Sequence, residues 1–316
     1  MIDLNGILYG GVLPATVAAV AMLTGWKLSQ RAGVSWLVGL SAGYLAGHWG
    51  LDVQGVGFVA AVAKSFSPHE ARDWLPAAVV SAVAIEAIAL TGKKGAALAW
   101  LLRVSWCFWL PWRLLAGSVY LPSSDQNLDF NTSAWSNQEI AAWLGVVGAL
   151  LVIAWTSLRY MPNKTLPRLR SSLATFVTLG ATATIALSGS LTTGQLMGVL
   201  TAALVGCGIA ASALRLENGP ESAAGPLLAT FGGVLVIARF LLEPELPNYY
   251  AGMLLLALVV AVGWISPPQR LSPRVHALVR IAICVTVLAL IVVPAARDFA
   301  ASQAVDESNP YLNYQP

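Results

Sequence analysis

Stretches of about twenty apolar residues recur along the chain, and this pattern limits its fold more than any other feature. A helix of about 20 residues crosses the roughly 30 Å hydrocarbon core of a bilayer. Only 10% of the 316 residues are charged, against about 25% in a typical soluble domain. The sequence therefore predicts an all-α polytopic membrane protein that contacts the lipid bilayer. We expect it in the inner (cytoplasmic) membrane of a bacterium.

Ten of these stretches are long enough to be membrane spans if each forms a helix. In the first half they are Ile7–Leu28, Val34–Leu51, Trp74–Leu90, Gly95–Ala116 and Glu139–Leu158. In the second half they are Ser171–Leu187, Gln195–Leu214, Gly225–Leu242, Tyr250–Ile265 and Ala277–Val293. Residues 53–66 are apolar but too few to span, so we expect an interfacial or re-entrant segment there.

The basic residues indicate how the chain is threaded through the membrane. With the N-terminus outside, twelve of the 18 Lys and Arg residues fall on the cytoplasmic side and three fall outside. The twelve are Lys27, Arg31, Lys93, Lys94, Arg159, Lys164, Arg168, Arg170, Arg215, Arg270, Arg274 and Arg280. Cytoplasmic loops carry an excess of Lys and Arg, so we expect both termini outside. Residues 295–316 are then a polar outer-side tail.

The ten spans divide as five plus five. Residues 1–158 form the first half, which includes the segment near 53–66, and residues 159–294 form the second half. Because five is odd, the second half enters the membrane from the opposite side, as in inverted-repeat transporters. This division rests on the parity of the spans alone, since the halves share no residue-level similarity.

A predicted hairpin of two spans, Trp74–Leu90 and Gly95–Ala116, carries charged residues in otherwise apolar surroundings. A charge inside a membrane helix is costly, so it needs a partner, an escape to the interface or a function. At 1.5 Å per residue, Glu86 lies roughly 8 Å and Arg103 roughly 12 Å from the cytoplasmic end. These similar depths predict a Glu86–Arg103 ion pair, which is either structural or part of a transport site.

The remaining charges and the aromatic residues of this region allow a second arrangement. Arg113 and Arg239 lie near the outer ends of their spans, where a long side chain reaches the interface by snorkelling. Trp100, Trp106 and Trp109 lie within one span, although indoles favour the membrane surface. As an alternative, an anion path is formed by Arg103, Arg113 and Arg239 and is lined by the three indoles.

Three glycines at four-residue intervals mark one face of the second span: Gly39, Gly43 and Gly47. Small residues at this spacing let another helix approach closely. We expect tight helix packing here, and the same face is the candidate contact for a homo-oligomer or for other membrane subunits.

His48 and Asp52 are four residues apart at the outer end of the same span, so their side chains can touch. One histidine and one carboxylate, without an identified nucleophile, are weak evidence for catalysis. We interpret them as an outer polar pair at the interface.

Metal, cofactor and nucleic-acid sites are not predicted. The cysteines, Cys107, Cys207 and Cys284, each lie within an apolar run and are expected to be buried small hydrophobes. The three histidines are scattered, so no zinc or haem ligand set is indicated. The basic residues lie in short turns rather than in one stripe, which argues against a nucleic-acid partner.

Three functions remain open. Ten spans with compact loops and buried charges favour a secondary transporter or permease for a small solute. Sparse intramembrane polar residues and the glycine face equally suit a non-catalytic structural or accessory subunit of a larger membrane complex. A membrane enzyme acting on lipid-linked substrates would need clustered acids, for which Asp125 and Asp129 in the outer loop are the only candidates. The pattern favours a protein that is not an enzyme.

Overall fold

A computed structural model describes residues 4–121, 135–160, 167–216, 219–243, 245–262 and 272–307. Ten helices of 15 or more residues are present in these ranges, together with one short helix. In chain order they are α1 (Leu4–Ser29, with a π-helical turn at Leu8–Val12), α2 (Ala32–Val56), the short α3 (Phe58–Lys64), α4 (Trp74–Ala89), α5 (Lys93–Leu115), α6 (Asn137–Tyr160), α7 (Pro167–Leu187), α8 (Leu191–Ala213), α9 (Ala224–Phe240), α10 (Asn248–Val262) and α11 (Pro273–Glu307). Within the described ranges there is no strand, only an isolated bridge between Ala116 and Leu121.

Each predicted span coincides with one of the ten long helices, and the predicted all-α class is confirmed over the described residues. Among the described residues, five helical segments are long and apolar enough to cross a membrane: Leu4–Ser29, Asn137–Arg159, Leu191–Ala213, Pro220–Phe240 and Ala277–Ser302. Large apolar side chains such as Leu101, Ile153 and Ile209 are more than half exposed. An apolar exterior suits a lipid environment, as expected of an integral membrane protein.

The expectation of a separate segment at residues 53–66 is wrong in its first part. Helix α2 continues to Val56 and ends at Gly57, whose φ of 79° favours glycine. The short helix α3 follows, and Trp49 Nε1 donates a hydrogen bond to Ser65 Oγ at 2.9 Å. That bond holds the end of α3 against α2.

The last helix also continues beyond the last predicted span, Ala277–Val293, into the predicted polar tail at residues 295–316. Helix α11 runs through Pro294 and ends at Glu307. The stretch after the proline contains four alanines in Ala295–Ala301, and alanine is the strongest helix former. Residues 308–316 lie outside the described part of the chain.

Helix α9 is the centre of the bundle, and each of its residues except Arg239 is buried. It packs against α4, α5 and α6 and also contacts α8 and α10. Helices α1 and α2 pack against α8, so elements of both predicted halves share one core. The division near residue 158 stays a prediction. Following the predicted topology, we call the end of the bundle that holds Trp74 the outer end and the opposite one the inner end.

The three glycines of α2 pack within the chain. A Cβ atom on Gly43 would lie 2.5 Å from Ala18 Cβ and 2.7 Å from Pro14 O of α1. A Cβ atom on Gly47 would lie 2.5 Å from Val199 Cγ1 of α8. Gly39 likewise faces α1 and α8. This face is covered by the chain itself, so an oligomer contact would have to use another surface.

Candidate functional site

Glu86 lies near the inner end of α4 and is 2% exposed. Arg103 of α5, also buried, donates a hydrogen bond from Nη2 to Glu86 Oε2 at 2.9 Å. The structure thus contains the ion pair that the depths of the two residues in the hairpin predict. The short connection between α4 and α5 brings the two helices side by side, which places both side chains at one level.

Helix α6 supplies two more partners to the same carboxylate. Trp155 Nε1 donates a hydrogen bond to Glu86 Oε1 at 2.8 Å, and Arg159 Nε lies 3.8 Å from Glu86 Oε2. From the sequence, Arg159 was expected only to mark the cytoplasmic side of the membrane. The spacing of four residues, which puts both side chains on one face of α6, is the signal that could have suggested a shared site.

Helix α9 closes the fourth side of the site. A Cβ atom on Gly225 would lie 2.8 Å from Trp155 Cζ2 and 3.0 Å from Glu86 Cγ. Only a glycine fits here without moving the indole or the carboxylate. We call Glu86, Arg103, Trp155, Arg159 and Gly225 the inner seal. It joins three helices of the first predicted half to one of the second.

The three tryptophans of α5 do not line one path. Trp106 is buried, donates a hydrogen bond to Ser81 Oγ at 2.8 Å and packs edge-to-face on Trp155 at 5.2 Å. Trp109 packs edge-to-face on Trp74 with ring centroids 6.3 Å apart. Trp100 is 46% exposed on the outside of the bundle. Only Trp106 therefore reaches the inner seal.

Arg113 and Arg239 lie at the outer end, each with its own partner. The Arg113 guanidinium lies 3.8 Å from the centre of the Trp74 ring, a cation–π contact. Arg239 contacts Glu245 and Asn248 through its guanidinium nitrogens. Because these two residues and the arginine of the inner seal bind different partners, the predicted anion path is not supported.

His48 and Asp52 line a partly open cavity of about 140 Å³ at the outer end. No hydrogen bond joins the two side chains among the described residues. His48 is 3% exposed, and its Nδ1 atom has no hydrogen-bond partner in the described part of the chain. We call this space the outer cavity; its lining residues are Gly6, His48, Leu51, Asp52, Arg72, Thr192, Gln195 and Leu196.

A second cavity of about 330 Å³ adjoins the first, and both are lined by Arg72, Thr192 and Leu196. It extends to the ends of α5 and α9, so residues of both predicted halves line it. Arg72 belongs to a short 3₁₀ turn in which Asp73 Oδ2 accepts hydrogen bonds from the Glu70 and His69 amides. Sequence reasoning missed Arg72 and Gln195 because the polar wall forms only when distant elements meet.

The remaining candidate residues are metal ligands, cysteines, acidic loop residues and a further ion pair. The described residues contain no group of three His, Cys, Asp or Glu side chains that could hold a metal ion. Cys107, Cys207 and Cys284 are free and buried, as predicted. Asp125 and Asp129 lie outside the described residues. A second buried ion pair, Arg170 with Glu221, joins α7 to the turn before α9 and was not predicted.

Replacing Trp155 with Phe tests the hydrogen bond in the inner seal. We expect the free energy of unfolding to fall by about 1.5–3 kcal/mol, the usual contribution of a hydrogen bond to a charged group. Trp106→Phe is the matched control: it removes a bond to a neutral hydroxyl and should cost about 0.5–1.5 kcal/mol. The measurement is thermal unfolding in detergent, detected by a maleimide dye that reacts with the buried cysteines on exposure. Equal losses in the two variants would contradict this role of Trp155.

No family model matches the chain, and no curated protein matches it. The function is therefore inferred from the inner seal and the outer cavity.

Proposed function

We propose that the protein is a secondary transporter for a small solute, with the outer cavity as its solute site. One observation supports this most strongly. A polar cavity at the outer end is lined by helices of both predicted halves, while a buried charge cluster closes the inner end. Secondary transporters bind solute between two structural units and expose the site to one side at a time.

Helix α9 connects the two regions. Gly225, at its start, packs on the inner seal, and Ile237, near its end, lines the second cavity. Twelve residues at 1.5 Å each separate them by about 18 Å along the helix axis. A tilt of α9 relative to α4 and α6 would therefore change both regions at once. The structure then corresponds to an outward-open, inward-closed state of the cycle.

The inner seal has the chemistry of a reversible closure. The Glu86 carboxylate binds groups on α5 and α6, so these helices separate only if charge-assisted hydrogen bonds break. Such bonds are stronger in a low-dielectric interior than in water. This cost would keep the inner side closed until solute binding offsets it.

The transporter is proposed as a protein of ten crossings with both termini outside, in the inner membrane of a bacterium. The second candidate, an accessory subunit of a larger complex, is favoured by one observation: α9 is buried along nearly its whole length. A solid core of this kind also suits a protein that never opens. The two functions differ in whether the outer cavity changes its accessibility.

Cysteine accessibility tests the proposal. In a variant with Cys107, Cys207 and Cys284 replaced by Ala, Gln195→Cys introduces a thiol at the outer cavity, and a membrane-impermeant maleimide reports its exposure in sealed vesicles. Weakening the inner seal with Trp155→Phe should favour inner opening, so the labelling rate at position 195 falls several-fold. Trp100→Phe, at the exposed tryptophan on the outside of the bundle, and a thiol at the exposed Val119 are the controls, and neither should show the change. An unchanged rate in a folded Trp155→Phe protein would favour the accessory subunit.

A further inference from the structure

We propose that the outer cavity binds a small zwitterion, a molecule with one carboxylate and one cationic nitrogen. This inference rests on the proposed function in one respect, since it names the class of the transported solute. The observations that support it are the size of the cavity, the charges on its walls and the buried His48 Nδ1 atom, which has no hydrogen-bond partner among the described residues.

The size of the cavity selects a small molecule. Its volume is about 140 Å³, and a water molecule in the liquid occupies about 30 Å³. A solute with a handful of non-hydrogen atoms therefore fits in this space. The adjoining cavity of about 330 Å³ shares Arg72, Thr192 and Leu196 with it and provides a route of entry.

One wall suits a carboxylate. Arg72 lines both cavities, and its ion pair with Glu70 uses the Nε atom at 2.7 Å. Thr192 and Gln195 belong to the first turns of α8, which begins at Leu191. The positive end of a helix dipole and a guanidinium both stabilise an anion. The carboxylate of the solute would lie between them.

A second wall, formed by α2, suits a cationic nitrogen. The half-buried Asp52 carboxylate lines the cavity one helical turn after His48. His48 is buried on α2, and its Nδ1 atom has no partner among the described residues. Leaving a buried polar atom without a hydrogen bond is unfavourable, so a bound polar group would remove that cost. A purely anionic solute would be repelled by Asp52, and a purely cationic solute would be repelled by Arg72.

Binding to the purified full-length protein in detergent tests this assignment with three probes. Glycine carries both charges, acetate only the anionic one and methylammonium only the cationic one. We expect glycine to raise the melting temperature more than either half-probe at equal concentration. Asp52→Asn should weaken glycine binding by at least about tenfold without weakening that of acetate. Arg72→Gln should weaken the binding of both glycine and acetate without weakening that of methylammonium.

Two exposed charges of α11 at the outer end provide matched controls, Asp298→Asn and Arg297→Gln, and neither should change the affinity for glycine. The proposal is overturned if glycine fails to bind the wild-type protein, if acetate binds as tightly as glycine, or if the two cavity variants keep full affinity. Failure here is separate from failure of the transport function. If Trp155→Phe changes the labelling at position 195 but glycine does not bind, only the proposed solute class is refuted. If glycine binds but the labelling does not change, only the proposed transport function is refuted.

Discussion

Glu86→Gln should lower the free energy of unfolding by about 3–5 kcal/mol, the largest loss we expect from any single polar substitution in this chain. The reason is the charge that remains. Arg103 is 4% exposed, and without the carboxylate its guanidinium has lost its charged partner inside the bundle. A buried ion left without its counter-ion is much less favourable than the intact pair. Thermal unfolding, followed through the reaction of the buried native cysteines, measures the effect.

The double-mutant cycle with Arg103→Gln separates a specific pair from general damage. Both single variants lose the same interaction. The loss of stability in the double variant should therefore be smaller than the sum of the two single losses by at least about 1 kcal/mol. Glu245→Gln provides the control, since its ion pair with Arg239 lies at the surface and is partly exposed, and surface pairs contribute about 0–1 kcal/mol. Strictly additive losses at positions 86 and 103 would show that the contact does not stabilise the fold.

Gly43→Leu should be similarly disruptive, with a loss of about 3 kcal/mol or more and a lower yield of folded protein. Even a Cβ atom at this position would lie 2.5 Å from Ala18 Cβ and 2.7 Å from Pro14 O. The second of these is backbone, so it cannot move aside as a flexible side chain would. Helices α1 and α2 would have to separate, which also disturbs the packing of α8.

Gly145→Leu is the matched control for the glycine substitution. Gly145 lies within α6, and a Cβ atom there would meet nothing within 4 Å. We expect its stability to stay close to that of the wild type, because leucine is a better helix former than glycine. A Gly43→Leu protein that unfolds at the wild-type temperature would show that α1 and α2 are not packed as described. Both proteins are compared by the same cysteine-reactivity assay.

The sequence was most informative where local rules decide the structure. The lengths of the apolar stretches located the ten long helices of the described residues. The similar membrane depths of Glu86 and Arg103 on adjacent helices were enough to predict their ion pair. Two boundaries were wrong for local reasons as well: α2 ends at Gly57, where the backbone needs a positive φ, and alanines carry α11 past Pro294. The charge count that set the topology does not depend on these boundaries.

The parts that could not be predicted depend on contacts between distant segments. Trp155 and Arg159 face Glu86 only because α6 packs beside α5, about seventy residues along the chain from Glu86. The outer cavity requires α2, the turn before α4 and the start of α8 to meet. Hydrophobic periodicity indicates which face of a helix is buried but not which helix packs against it. The sequence therefore did not indicate that Arg72 and Gln195 line a common cavity.

In the proposed transport cycle, the outer cavity and the inner seal open and close in a coupled way. The most direct test is reciprocal accessibility, with one thiol at Gln195 and, in a separate protein, one at the fully buried Ala82 beside Gly225. If the two ends are coupled, Trp155→Phe slows labelling at position 195 from the outside and makes position 82 reactive from the inside. Labelling that rises at position 82 with no change at position 195 would contradict this coupling, because the two ends would then open independently.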